Sequence, residues 1–227
     1  MNKNNSVLKY NLGEGVEAFS THRDYELTFP VVMGKQIHGS GIAVIENPDD
    51  IHASLEGFDA FITNKVGCAI AVRTADCVPI LLYDPIKRVV AAVHSGWKGT
   101  VQRIPKKCII QMEIRYGSKP ADILAIIGPG IAKESFQVGV DVINHFKNVD
   151  FDINDIYSWE GPKSDIPMQG GHHLDLFKAN QNILIEAGVL PENIQICGID
   201  TFKDTSFFSA RREGVECGRI FNVIKMF

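Results

Sequence analysis

The amino-acid sequence predicts an α+β protein with mixed β-sheets. Short apolar runs of strand length crowd the first hundred residues, while segments with helical periodicity mostly follow. Such separation along the chain favours α+β over a regular doubly wound fold, in which strands and helices alternate. No G-x-G-x-x-G and no G-x-x-x-x-G-K-[ST] sequence occurs, so neither a dinucleotide nor a P-loop nucleotide is predicted as a ligand.

The strands are predicted from apolar runs that end at turn residues. The clearest runs are FDAFITN, GCAIAVRTADC, VPILLYD and RVVAAVHSGW, followed later by ADILAII, NIQICGID and RIFNVIKMF. Upstream, FPVVMGKQIHGSGIAVIE predicts two strands joined by a tight turn at HGSG. Asp84 and Pro85 supply turn chemistry after VPILLYD. The nearly continuous apolar character of RVVAAV predicts a strand that is buried on both faces.

Three amphipathic segments predict helices. They are GTVQRIPKKCIIQMEIRYG, GVDVINHFKN and LDLFKANQNILIEAG. We expect Pro105 near the start of the first helix, and Asp175 and Gly188 as the N-cap and C-cap of the third. His172 and His173, just before that helix, look like a metal-binding tract. Consecutive side chains of an extended chain point in opposite directions, however, so both are interpreted as loop residues.

Length and composition favour a single domain over residues 1–227. The chain has 227 residues, of which 45% are apolar, enough for a substantial core. The net charge is −4 and the pI is near 6, so no basic field exists for a nucleic-acid partner. No apolar run approaches the roughly 20 residues that span a bilayer, and the N-terminal stretch lacks a signal-peptide pattern. These observations predict a cytoplasmic protein without a membrane partner, and they leave its oligomeric state open.

Five cysteines are scattered along the chain, and no C-x-x-C pair occurs. An odd number without local pairing argues against a disulfide framework. Each cysteine is then either a core residue, which is the commoner case for a free thiol, or a reactive or metal-binding one.

Three residues at the ends of apolar segments could form a metal site. They are His38 in KQIHGSG, Cys77 in TADCVP and His94 in AAVHSGW. Two imidazoles and a thiolate suit zinc and leave a fourth position open, the pattern of catalytic zinc sites, and copper accepts the same donors. Asp76, next to Cys77, could orient a ligand or transfer protons. The spacing of the three residues is not a local signature, so the pattern alone indicates the site weakly.

The same residues also fit other interpretations. Cys77 and His94 could form a thiolate–imidazole pair for nucleophilic catalysis, with Asp76 or another acid orienting the histidine. A core thiol beside two hydrogen-bonded histidines is the plainer alternative. The pattern leaves all three interpretations open.

Two arginines are candidates for binding an anionic part of a substrate. Arg23 lies in STHRD and Arg211 lies in FFSARREG. A guanidinium group can hold phosphate or carboxylate with two hydrogen bonds. Arginines in such polar segments are as often a solvated edge of the protein.

Six motifs, in order, resemble a known family. KQIHG, TADCVPILLYD, AVHSGWKGT, IGPGI, LDLFKAN and FFSARREG with a following GR are similar to those of the laccase-domain or multicopper polyphenol oxidase proteins of the YfiH type. The resemblance runs from FSTHRD to the C-terminus. It implies a layered sandwich of mixed β-sheets flanked by helices, of the cysteine-hydrolase-like α/β/β/α kind, in which His38, Cys77 and His94 bind one zinc ion.

The resemblance also implies a function. Members of this family are described as purine nucleoside phosphorylases with adenosine deaminase activity. The resulting expectation is a zinc-dependent enzyme that uses phosphate to cleave adenosine, inosine and methylthioadenosine and that deaminates adenosine. Cys77 and Asp76 are its expected catalytic residues, and Arg23 and Arg211 its expected substrate-binding residues. The alternatives are a copper-dependent polyphenol oxidase, a Cys–His hydrolase acting on a peptidoglycan precursor, and a non-catalytic zinc module.

Overall fold

The computed structural model describes residues 6–47, 55–149, 151–161 and 171–227. Within these ranges the strands are β1 (Val7–Tyr10), β2 (Val16–Thr21), β3 (Gly41–Val44), β4 (Phe58–Thr63), β5 (Ala69–Thr74), β6 (Val78–Asp84), β7 (Val89–Ser95), β8 (Leu124–Ile127), β9 (Gln137–Val138), β10 (Tyr157–Glu160), β11 (Gly171–Leu174), β12 (Ile194–Ile196) and β13 (Ile220–Met226). The α-helices are α1 (Trp97–Val101), α2 (Ile104–Tyr116), α3 (Val140–Lys147), α4 (Ile153–Ile156), α5 (Leu176–Glu186) and α6 (Ala210–Glu213).

These strands form three sheets. The largest has the order β12-β8-β6-β7-β4-β3 and mixes parallel with antiparallel pairs. A four-stranded antiparallel sheet has the order β1-β2-β13-β5, and a small third sheet has the order β10-β11-β9. The mixed sheets confirm the predicted α+β class.

The two larger sheets pack face to face, and helices cover the other face of the six-stranded sheet. Alternation along β6 shows the layers: Val78, Ile80 and Leu82 pack toward the helices, whereas Leu81 and Tyr83 pack toward the four-stranded sheet. Both faces of β7 are buried, as the run RVVAAV predicted, and both faces of β6 are buried as well. An extended segment that includes residues 25–31 covers the outer face of the four-stranded sheet. The layered sandwich is therefore confirmed.

Most predicted elements are confirmed, and three interpretations were wrong. The segment before HGSG makes only isolated bridges at Val32 and Lys35, so no hairpin forms there. The first predicted helix is two helices, because the chain turns through a left-handed conformation at Arg103 (φ 56°), the residue directly before α2. Pro105, the second residue of α2, has no backbone N–H to continue the preceding helix. His172 and His173 lie in β11, where pairing with β9 and β10 outweighs their weak strand propensity.

The predicted turn and cap residues have their expected roles. The Asp84 carboxylate accepts hydrogen bonds from the backbone of Ile86 and Lys87. The Asp175 carboxylate caps α5 by accepting a hydrogen bond from the backbone of Lys178. Gly188 follows the C-cap of α5 with a φ of 96°, a conformation that favours glycine. None of the helices in the described ranges combines the length and apolar character needed to span a bilayer.

Candidate metal centre and adjoining cleft

One edge of the six-stranded sheet gathers the candidate residues. Strands β3 and β4 run parallel, and both β4 and β6 pair antiparallel with β7. The starts of β3, β4 and β6 therefore meet the end of β7 at the same edge. His38 lies just before β3, Cys77 directly precedes β6, and His94 is the second-to-last residue of β7.

The structure brings His38, Cys77 and His94 together. One donor atom from each lies within 4.8 Å of the others. The two imidazole rings meet edge to face, with centroids 4.8 Å apart. His94 is buried, Cys77 is partly exposed and His38 is exposed, so the cluster opens toward solvent on one side. The three residues selected from the sequence therefore lie in one cluster.

Asp59, the second residue of β4, holds two of the candidate metal ligands in place, although it is not a candidate ligand itself. Its fully buried carboxylate accepts a hydrogen bond from Nδ1 of His94 (2.7 Å) and from the backbone N–H groups of Ile37 (3.2 Å), His38 (3.0 Å) and Gly39 (2.8 Å). One carboxylate thus fixes both the ring of His94 and the loop that carries His38. Burial opposes its ionisation, but the hydrogen bonds from His94 and Gly39 outweigh that effect and lower the pKa of Asp59.

The backbone around the cluster adopts uncommon conformations. His38 and Asp76 both have positive φ angles, of 60° and 78°, which cost free energy in residues other than glycine. Gly96 follows β7 and lies beside Cys77. A Cβ atom on Gly96 would lie 2.8 Å from Sγ of Cys77 and 3.2 Å from Cδ2 of His38. Only glycine lets the backbone pass this close to both side chains.

The electrostatic environment favours ionised forms of Cys77 and His94. Burial raises the pKa of the Cys77 thiol, but attraction to His94 and hydrogen bonds from both histidines outweigh it and lower that pKa to about 6. Burial likewise disfavours a charged His94, yet Cys77 and Asp59 raise its pKa to about 9. Thiolate is the form of cysteine that binds metals and attacks electrophiles.

The donor set fits a borderline-soft transition metal. Because an ionised carboxylate can only accept, Asp59 holds a proton on Nδ1 of His94. A metal would therefore bind at Nε2, displacing the second proton of the charged ring. A carboxylate behind a ligating histidine is the usual support of a metal site. Two imidazole nitrogens with one thiolate sulfur match three-ligand zinc sites, in which a fourth position stays open. The residues present therefore can hold a metal ion.

A cleft of about 470 Å³ adjoins the cluster. Its lining residues come from the ends of β5 and β7, from the loops that carry His38 and Cys77, and from the start of α6 and the segment after it. They are Gln36, His38, Arg73, Thr74, Ala75, Cys77, His94, Ala210, Val215 and Arg219. The volume suits a ligand of nucleoside or cofactor-fragment size.

Asp76 lies beside the cluster with its carboxylate directed at the C-terminal part of the chain. Oδ1 accepts a hydrogen bond from Thr201 Oγ1 (2.7 Å), and Oδ2 accepts one from the backbone N–H of Arg211 (2.7 Å). The backbone carbonyl of Asp76 accepts from the N–H of Ile131 (2.8 Å). These contacts tie the Cys77 loop to two other segments.

Arg23 and Arg211 lie outside the residues that line the cleft. The guanidinium group of Arg23 donates to the carbonyl of Phe207 (3.1 Å) and pairs with Glu213 (2.8 Å). That of Arg211 donates to the carbonyls of Ser135 (3.3 Å) and Gln137 (3.0 Å). Both arginines thus hold protein segments together in this structure.

Sequence reasoning missed Asp59, Arg73 and Arg219. Asp59 had a visible signal, since it is the one charged residue within the apolar run FDAFIT. Arg73 is likewise the one charged residue in AIAVRT, at the end of a buried strand. Arg219 is the arginine of the GR that follows FFSARREG, a motif of the family resemblance, but no role was predicted for it.

Comparison with known proteins adds independent information. A sequence profile described as multi-copper polyphenol oxidoreductase laccase matches residues 14–227. Adenosine deaminase RL5, from an unknown prokaryotic organism, is 41% identical over 203 residues, which are 86% of this chain and 74% of that protein. A purine nucleoside phosphorylase of Bacteroides thetaiotaomicron is 38% identical over 173 residues, 75% of this chain and 61% of its own length. Purine nucleoside phosphorylase CA_C1699 of Clostridium acetobutylicum is 37% identical over 217 residues, 94% of this chain and 84% of that protein.

Solved structures share the fold over almost the whole chain. The hypothetical protein YfiH of Bacillus licheniformis superposes with a TM-score of 0.87 at 26% identity, covering 98% of this chain and 97% of that one. YlmD of Geobacillus stearothermophilus superposes with a TM-score of 0.83 at 24% identity, covering 96% and 94%. The second likeness concerns the fold alone.

Proposed function

We propose that this chain, which belongs to the multi-copper polyphenol oxidoreductase laccase family, is a metal-dependent enzyme acting on purine nucleosides. Its reactions are the phosphorolysis of adenosine, inosine and methylthioadenosine and the deamination of adenosine. The observation that carries the proposal is the His38–Cys77–His94 cluster beside a cleft of nucleoside size. The names of the adenosine deaminase and phosphorylase relatives support this choice of substrate.

His38, Cys77 and His94 are the proposed ligands, and zinc is the proposed metal. When bound, zinc supplies Lewis acidity, which lowers the pKa of water and polarises polar groups of a substrate. Cys77 contributes a thiolate, and Asp59 keeps the lone pair of His94 Nε2 directed into the cluster. The same Asp59 holds the His38 loop through its backbone N–H groups.

Asp76 takes a positioning role in this proposal. The sequence predicted a proton shuttle, but both carboxylate oxygens already accept hydrogen bonds from Thr201 and from the backbone of Arg211. A proton on Asp76 would remove an acceptor from one of these donors. Asp76 therefore holds Cys77 at the cleft, and Arg211 and Arg23 hold the neighbouring segments rather than the substrate.

The two reactions need different co-substrates at the same site. In phosphorolysis a phosphate oxygen bonds to the anomeric carbon, the C1′–N9 bond breaks, and the base leaves with the bonding electron pair and takes up a proton. In deamination water adds at C6 and ammonia leaves. A phosphate-binding group is needed for the first reaction alone, whereas an anchored purine is needed for both.

A Cys–His hydrolase is the second candidate, because the pKa values of Cys77 and His94 are shifted toward a thiolate–imidazolium pair. Its cell-wall substrate remains a prediction of the sequence.

Copper is the alternative metal, with phenol oxidation as its reaction. Among the described residues, however, the structure gathers one three-donor group, which is fewer ligands than a multicopper centre uses. We also propose a cytoplasmic location and a single domain over residues 1–227, as the sequence predicted.

Product analysis by mass spectrometry tests this function. Zinc-loaded protein is incubated with adenosine, inosine or methylthioadenosine, each with and without phosphate. We expect free base only when phosphate is present, and inosine from adenosine in both conditions. The absence of all these products would refute the proposal. If metal-free protein instead hydrolyses a peptidoglycan precursor, and a thiol-specific reagent abolishes that hydrolysis, the Cys–His hydrolase is supported.

A further inference from the structure

We propose that Arg73 is the residue that binds inorganic phosphate in the cleft. This inference rests on the proposed phosphorylase function and deepens it, because it places the co-substrate of one reaction beside the metal cluster. Arg73 lies at the end of β5, four positions before Cys77, and lines the same cleft as all three cluster residues.

The hydrogen bonds of Arg73 are incomplete. Among the residues that the structure describes, its guanidinium group has one hydrogen bond, from Nη2 to the carbonyl of Gly34 (3.2 Å). Its Nε is buried and has no acceptor in the same part of the chain. A buried donor without an acceptor is costly to the folded protein, and an oxyanion at the edge of the guanidinium would supply the acceptor.

The backbone of Arg73 is fixed, so the side chain starts from a defined point. The backbone N–H of Arg73 donates to Oε1 of Gln36 (2.8 Å), and Nε2 of Gln36 donates to the carbonyl of Arg73 (2.9 Å). Gln36 also lines the cleft and is two residues from His38. This double contact couples the Arg73 position to the loop of the metal cluster.

The other arginine that lines the cleft is already engaged. Arg219 donates through Nη1 and Nη2 to the carbonyls of Val215, Cys217 and Gly218. It shapes the wall formed by the segment after α6. Of the two, Arg73 has fewer bonds to the protein, and its Nε is the buried donor without an acceptor among the described residues.

The charge of the cleft suits an anion. Within the described parts of the chain, its lining contains two arginines and no aspartate or glutamate, although the whole chain carries a net charge of −4. Positive charge confined to one concave surface attracts a small anion there despite the overall sign. Free phosphate and the phosphate of a nucleotide share this chemistry, and we assign the site to free phosphate because the proposed reaction consumes it.

Kinetics of Arg73 variants test the assignment. Arg73→Met removes the donors at similar volume, Arg73→Lys keeps the charge without the planar fork, and exposed Arg115→Met is the control for loss of one charge. We expect Arg73→Met to raise the KM for phosphate about 10- to 100-fold, with a smaller rise for Arg73→Lys. The rate of adenosine deamination without phosphate and the metal content should stay unchanged, as should every value for Arg115→Met.

Several results would overturn the inference. An unchanged KM for phosphate in Arg73→Met would do so, and so would an equal fall of deamination and phosphorolysis, which indicates a structural role. If Arg73→Met does not fold, Arg73→Lys and Arg73→Gln carry the same comparison.

Calorimetric titration of the metal-loaded protein with inorganic phosphate keeps this test separate from the proposed function. Weaker phosphate binding by the Arg73 variants supports the inference even if wild-type protein turns over no nucleoside, a result that would refute the function alone. Equal phosphate binding by wild type and variants contradicts it, as does binding of adenosine 5′-monophosphate without binding of free phosphate.

Discussion

Two regions of this protein, one at an open cleft and one in the core, each carry a cysteine, and their surroundings give the thiols opposite properties. Cys108 lies in α2 with no exposed surface, among apolar side chains between the helices and the six-stranded sheet. Burial alone raises the pKa of its thiol far above the usual value. Cys77, at the start of β6, is also desolvated, but His94 and His38 lower the pKa of its thiol to about 6.

Residue type and burial therefore do not decide whether a cysteine thiol is ionised and able to bind a metal. Both thiols come from apolar stretches of sequence, and both are desolvated. The difference is that Cys77 lies at a sheet edge where two histidines converge, one of them held by a buried carboxylate. This convergence of histidines, and not burial, gives Cys77 its lowered pKa.

Removal of each thiol gives the largest expected contrast. Cys77→Ala deletes a metal ligand, so turnover of adenosine should fall at least about a thousandfold, as for the loss of a catalytic group, together with the bound metal. Cys108→Ala should keep metal content and turnover near the wild-type values. Elemental analysis and product formation on the same samples measure both effects. Activity that survives in metal-free Cys77→Ala would remove this site from the chemistry.

Asp59→Asn should weaken metal binding while leaving the three donors in place. The neutral amide is a poorer acceptor for Nδ1 of His94 and for the N–H groups of the His38 loop. Loss of such support typically costs about 10- to 100-fold in metal affinity. A competition titration with a chelator measures the change, with exposed Asp24→Asn as the control. Equal affinities in the two variants would show that Asp59 serves the fold only.

Gly96→Ala tests how closely the backbone must approach the cluster. The new Cβ would lie 2.8 Å from Sγ of Cys77, so the thiolate must shift. Overpacking of this kind costs about 1–3 kcal/mol, and we expect metal affinity to fall about tenfold. Gly161→Ala is the matched control, because its Cβ would meet open space. The chelator titration applies here as well, and no difference between the variants would contradict the described geometry.

The smallest expected effect concerns stability. Cys108→Ala leaves a small cavity in the apolar core and should lower the free energy of unfolding by about 1 kcal/mol. Chemical denaturation of metal-free protein measures this value. Cys77→Ala, measured in the same way, should cost less, since Cys77 borders an open cleft. A larger cost at Cys77 than at Cys108 would reverse the assignment of the two regions.

The central strands could be predicted because short stretches of sequence are enough to identify them. Runs such as VPILLYD and RVVAAV are apolar on both faces and end at Asp84 or at the glycine after Ser95. Strands such as β11 were missed because His172 and His173 become extended only through pairing with neighbouring strands. Propensity is a weak guide where tertiary contacts decide the conformation.

The site divides in the same way. Cys77 and His94 could be selected because each lies in or next to a recognisable strand, and pairing of β6 with β7 then brings both to the same edge of the sheet. The role of Asp59 depends on the register of β4 against β7, which no local pattern encodes. The different uses of Arg23, Arg73 and Arg211 depend on which carbonyls face each guanidinium, and these lie far away in sequence.

Titration of metal-stripped protein with zinc, while adenosine turnover is followed, shows whether turnover depends on one metal ion at this cluster. A single cluster of His38, Cys77 and His94 predicts activity that rises in proportion to added zinc and stops rising at one equivalent. Full turnover without any metal, or no turnover at any zinc concentration, would contradict the claim.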